Sequence, residues 1–112
     1  MQVQAIPSRT HKRSARLAQL IRIYEHGQVS ELMDQTLDKL FSMEAAEAQK
    51  DVEEFSAVLL RFEERYGIES NDFYDRFEAG ELGDDADFIE WASFIDMYRH
   101  AENRLAALRD EA

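Results

Sequence analysis

The sequence predicts an all-α protein: a long antiparallel helical hairpin with a short intervening helix, preceded by an N-terminal amphipathic helix. Three observations lead there. Apolar residues recur every three or four positions over two long stretches, as one face of a helix requires. One proline and four glycines in 112 residues leave few interruptions for a chain of short strands. Gly27, Gly67 and Gly80 fall where the apolar periodicities stop, which is where helices end.

The elements follow in chain order. Residues 1–29 form a basic arm in which Arg9, Lys12, Arg13 and Arg16 precede Leu17, Leu20, Ile21, Ile23 and Tyr24 on much the same helical face. An amphipathic helix from about Ser8 to His26 is expected, ended by Gly27. Residues 30–112 form the hairpin domain. From Ser30 the apolar positions Met33, Leu37, Phe41, Ala45, Ala48, Val52, Phe55, Leu59, Phe62 and Tyr66 mark one narrow face of a single helix. Ser30 is its expected N-cap, Glu31 and Asp34 suit the positive end of the helix dipole, and Gly67 stops it. Ser70 can cap a two-turn helix carrying Phe73, Tyr74 and Phe77, which Gly80 ends. After the tight Glu81-Leu82-Gly83 loop, Asp84 or Asp85 caps a last helix carrying Phe88, Trp91, Phe94, Ile95, Tyr98, Ala101, Leu105 and Leu108.

That last helix has the wider apolar face, so a two-helix hairpin leaves part of it open. The Phe73–Phe77 helix or a second subunit must cover the rest. All but Tyr24 and Phe41 of the aromatic residues lie between Phe55 and Tyr98, so the core is expected at that end of the hairpin. Leu37, Leu40 and Phe41 overhang the shorter C-terminal limb and need another surface, which argues for a homodimer or a bound partner.

Charge divides the chain. Residues 1–26 carry five basic side chains against Glu25, a balance of +4, while the remainder carries 8 basic and 23 acidic side chains, a balance of −15. The body repels nucleic acid and attracts a basic protein. Only Arg9, Lys12, Arg13 and Arg16 could favour phosphates. There is no cysteine, so neither a disulfide nor a thiolate zinc site can form. No apolar run approaches the roughly 18 residues of a membrane span, and no signal-peptide block opens the chain, so a cytoplasmic protein is expected.

Chemistry-bearing clusters are sparse. His11, His26 and His100 stand in separate segments, and no serine sits on an exposing strand–turn–helix elbow. Gly80 and Gly83 are followed by acids, which would repel a phosphate. Trp91, Phe88 and Tyr98 have core-stripe spacing rather than that of a ligand box. Carboxylates alone are in surplus. Glu44 with Glu47, and Asp84 with Asp87, are spaced i, i+3 and could hold magnesium between facing helices, as in all-helical nucleotide pyrophosphohydrolases of the MazG kind. In a chain with 24 acids such pairs also arise by chance, and no cofactor is expected. An acidic inhibitor that mimics DNA is a further alternative.

One stretch is more specific. The run from Tyr66-Gly67-Ile68-Glu69-Ser70-Asn71-Asp72-Phe73-Tyr74 through Asp75-Arg76-Phe77-Glu78-Ala79-Gly80 to Phe88-Ile89-Glu90-Trp91 resembles a recurrent pattern in a family of short acidic bacterial antitoxin-like proteins. A segment similar to Thr36-Leu37-Asp38-Lys39-Leu40 and the Phe62-to-Gly67 element belong to the same pattern, so the resemblance covers roughly residues 36–105. It implies a toxin–antitoxin role, in which the chain silences a small basic toxin by direct contact. It supplies no catalytic residues and leaves the N-terminal 30 residues uncovered. The expectation is therefore a non-catalytic protein-binding module and homodimer, with Leu37, Leu40, Phe41 and Glu44 as the partner face.

Overall fold

In the computed structural model the described residues are 9–110, with side chains from Lys12 onward. They form four helices and no strand: α1 (Arg9–Glu25), α2 (Glu31–Tyr66), α3 (Ser70–Glu78) and α4 (Ala86–Leu108). The fold is all-α, as the periodicity predicts. Two compact units divide the chain, Met1–Asp38 and Lys39–Ala112. The division lies inside α2 rather than after residue 29, because the first turns of α2 are tied to α1. The Tyr24 hydroxyl donates to Asp34 Oδ1 at 2.8 Å, and Leu20, Ile23, Met33 and Leu37 are half-buried.

The ends of α1 and α2 follow local chemistry. Gly27 adopts a left-handed φ of 66° after α1, while the Gln28 N–H donates to the Ile23 carbonyl at 2.9 Å. Ser30 Oγ accepts from the Met33 N–H at 3.0 Å, so the expected N-cap forms. The 36 residues of α2 then run without a break to Gly67, about 54 Å at about 1.5 Å per residue.

In the second unit, α2 and α4 run antiparallel as the two limbs of a hairpin. Contacts pair Phe55 with Phe94, Phe62 with Trp91 and Tyr66 with Phe88, with ring centroids 6.0, 5.4 and 5.4 Å apart. The limbs meet through these rings rather than by close backbone approach. Trp91 is the centre of the core and is wholly buried. Its indole stacks on Phe73 of α3 at 3.9 Å and 5°, with Phe62 of α2 at 5.4 Å and 10°. The open part of α4's apolar face is thus covered by α3.

Ser70 is not the N-cap of α3. It is the first helical residue, and Glu69 occupies the cap position without a side-chain bond. The Ser70 hydroxyl instead accepts from the Trp91 indole N–H at 3.0 Å, and the Ser70 backbone N–H donates to Glu63 Oε2 at 2.8 Å. A carboxylate from α2 therefore satisfies an orphan donor at the start of α3, where the helix dipole favours negative charge. For α4 the cap is Asp85, whose Oδ1 accepts from the Asp87 N–H at 2.9 Å.

The Trp91–Ser70 bond generates a contrast. Ser70→Ala strands a buried indole donor and is expected to cost about 1–3 kcal/mol, whereas Trp91→Ala is expected to cost about 3–5 kcal/mol by opening a cavity between α2, α3 and α4. Urea unfolding followed by circular dichroism measures both, and equal, near-zero effects would contradict the placement.

Candidate functional site

The expected partner face divides along α2. In the first unit Leu37 is half-buried, so it does not belong to an open patch. In the second unit Leu40 and Phe41 remain 49% and 56% exposed. On the same helix, Ala48, Leu59 and Phe62 are 1%, 8% and 7% exposed. The stripe that α4 covers toward Tyr66 is thus uncovered at its start. Glu44, one turn on, forms an ion pair with Arg104 of α4, and both side chains stay substantially exposed. Next to that pair, Ala48, Phe55, Met97 and Ala101, together with Asp51, Asp96, His100 and Arg104 itself, line a mainly apolar hollow of about 380 Å³. Phe41, Glu44 and Ala48 therefore lead from an exposed ring, past an ion pair, into an apolar recess.

The magnesium set does not assemble. Glu44 pairs with Arg104, whereas Asp87 accepts from Arg65 Nη1 at 2.9 Å and from the Tyr66 hydroxyl at 2.5 Å. Their partners place the two acidic pairs at opposite ends of α2 in the second unit. From Glu47 to Arg65 is about 27 Å along the axis, and from Glu44 about 31 Å. Asp84 lies in the exposed loop before α4, and Glu47 is exposed on α2. Among the described residues no group of three or more potential ligands converges.

Of the basic residues, Lys12, Arg13 and Arg16 are exposed on α1, while the side chain of Arg9 lies outside the described residues. Trp91, with Phe88 beside it, is core and not a ligand box. Two features had no local signal. Glu63 serves Ser70, seven residues away, and Arg65 and Tyr66 meet Asp87 across the hairpin. Only the turn between the limbs brings these groups together.

Carboxylates are spread over the tyrosines in a regular way. Tyr24, Tyr66, Tyr74 and Tyr98 donate to Asp34, Asp87, Asp96 and Glu102. Each phenol is raised above its ordinary 10.0, first by that hydrogen bond to a carboxylate and then by partial desolvation. These contacts are structural ties that use up acids.

Compared with protein-family profiles, with curated proteins and with solved structures, the chain matches none.

The Asp87 cluster gives a pH dependence. The Tyr66 hydroxyl, and after it the Arg65 guanidinium, hold Asp87 below the ordinary carboxylate value of 3.8. A depressed folded pKa contributes stability that is fully present above 3.8 and is lost as pH falls through the lower folded value. Asp87→Asn should therefore be less stable than the parent at neutral pH, with the two thermal midpoints converging as pH falls below that value. A constant gap in calorimetry across the acid range would count against it.

Proposed function

We propose that this chain is a non-catalytic protein-binding module of antitoxin type, which neutralises a small basic protein by direct contact through the uncovered Leu40–Phe41 stretch of α2. The observation that carries it is the exposure of Leu40 and Phe41, 49% and 56%, on a helix whose same face is buried about two turns later, at Ala48. An exposed ring beside an apolar recess is the usual form of an interface anchor. Its surroundings match a basic partner. Asp38, Glu44 and Glu47 flank the two apolar residues against Lys39, and residues 27–112 carry 23 acids to 8 bases. Charge of this sign steers a basic protein toward the face and repels nucleic acid, while the apolar contact holds it. The Glu44–Arg104 pair would exchange partners at the rim, at low cost because both groups are already solvated.

The MazG-like reading asks four carboxylates to share a cation, and the hairpin keeps their two pairs apart. The binding reading needs no such convergence.

Leu40→Asp with Phe41→Asp places two charges in the contact without touching the Trp91 core. The parent protein, tagged and recovered from its native cells, should retain a small basic protein in stoichiometric amount and relieve the growth arrest that protein causes. The double variant should bind at least about ten-fold more weakly, the loss of about 1.4 kcal/mol or more expected when anchors are removed. Its helical circular dichroism and unfolding midpoint should match the parent's. Recovery of the parent with no such companion, or undiminished binding by the folded variant, contradicts the proposal.

A further inference from the structure

Besides the Leu40–Phe41 face, two surfaces among the described residues are complementary in charge. On α1, Leu17, Ile21 and Tyr24 stand at i, i+4 and i+7 and are 59%, 52% and 40% exposed. Arg13 and Arg16 are exposed on the preceding turn. In the second unit, a groove of about 900 Å³ opens between α2, the start of α3 and α4. Leu59 and Ile95 lie buried beneath it, and the half-exposed Leu60 and partly buried Tyr98 are the apolar side chains it presents among mostly polar neighbours. Glu69 and Asp75 stand exposed around it, together with Glu63 and Glu102, which already accept from the Ser70 N–H and the Tyr98 hydroxyl. The cation lining it, Arg99, is already engaged, donating to Asn71 Oδ1 at 2.9 Å with its guanidinium 4.5 Å from the centre of the Tyr74 ring.

We propose that the acidic groove of one copy receives α1 of a second copy, whose Leu17, Ile21 and Tyr24 pack over Leu60 and Tyr98 while Arg13 and Arg16 meet Glu69 and Asp75. The sizes agree. Leu17 to Tyr24 spans seven residues, about 10 Å of helix, and so does the α4 wall from Ile95 to Glu102. The charges agree as well: the first 26 residues carry +4 and the rest −15, so a second copy brings the basic amphipathic helix that the groove requires. An anionic lipid surface, the other ordinary seat for such a helix, would be repelled by the acidic body. Exchange in both directions uses each surface once per chain, and the assembly closes as a twofold dimer. The second copy is thereby seated away from Leu40 and Phe41, and the contact stands whether or not those residues take a basic protein.

Sedimentation velocity on the full chain tests this. The parent should be a dimer at about 50 mM salt, with its dissociation constant weakened at least ten-fold at about 500 mM, because exposed charge pairs are screened. Arg13→Glu/Arg16→Glu and Glu69→Lys/Asp75→Lys should each be monomeric while keeping parental circular dichroism. Mixed in equal amounts, the two variants should form a heterodimer, since the acidic arm now meets the basic groove and the basic arm the acidic one. A monomeric parent overturns the proposal. So does a dimer indifferent to either charge reversal, a dimer lost instead in Leu40→Asp/Phe41→Asp, or sedimentation of the parent with phosphatidylglycerol vesicles.

Discussion

The Trp91 indole is the constraint on which the second unit depends. Its faces are filled by Phe73 and Phe62, from the helices before and after the first turn of the hairpin, and its N–H is satisfied by Ser70. A buried indole needs such a donor–acceptor match, and a hydroxyl at the first residue of α3 provides it only if α3 sits at one position. Glu63 then fixes the same residue from the backbone side. Three helices are thus referred to two adjacent points, the Trp91 ring and Ser70. A nine-residue helix, too short to persist alone, becomes part of the core through them.

This arrangement explains why α2 is open around Leu40 and Phe41. Nearly all the large rings are gathered where α2, α3 and α4 meet, and α4 ends at Leu108 while α2 extends back to Glu31. Toward the far end the α2–α4 contact thins to small residues, Ala48 with Ala101 nearby, and to the exposed Glu44–Arg104 ion pair. Large apolar residues beyond that point have nothing from α4 to meet. Core packing is therefore uneven along one helix: the half toward Tyr66 closes the core, and around Leu40 and Phe41 apolar side chains stand exposed within an acidic surface.

Much of this was legible in the residue pattern. The four helices, the glycine stops of the first three, and the Ser30 and Asp85 caps follow from short-range rules, and the Phe55–Tyr98 aromatics marked the core because ring burial dominates the available stabilisation. The exposure of Leu40 and Phe41 followed from comparing limb lengths. Other features depend on the hairpin's register, which no local rule sets. Ser70 has cap chemistry and cap position by sequence, yet the indole takes its hydroxyl and Glu63 takes over the helix start. Leu37 shares the Leu40–Phe41 stripe but is half-buried, since the first turns of α2 belong with α1. Glu44 and Asp87 look alike in spacing, and only their partners, Arg104 on one side and Arg65 with Tyr66 on the other, show them to be far apart.

The central claim is that α2 is one helix with two levels of support, firm around the Trp91 stack and weak where Leu40 and Phe41 are uncovered. Residue-resolved hydrogen exchange of the chain without a basic partner measures this directly. Amides of α2 from Phe55 to Tyr66 should share slow exchange with those of α3 and of α4 from Phe88 to Tyr98, while amides from Leu40 to Glu44 open far more readily. Uniform protection along α2, or an α3 that exchanges like a loose end, would contradict the account.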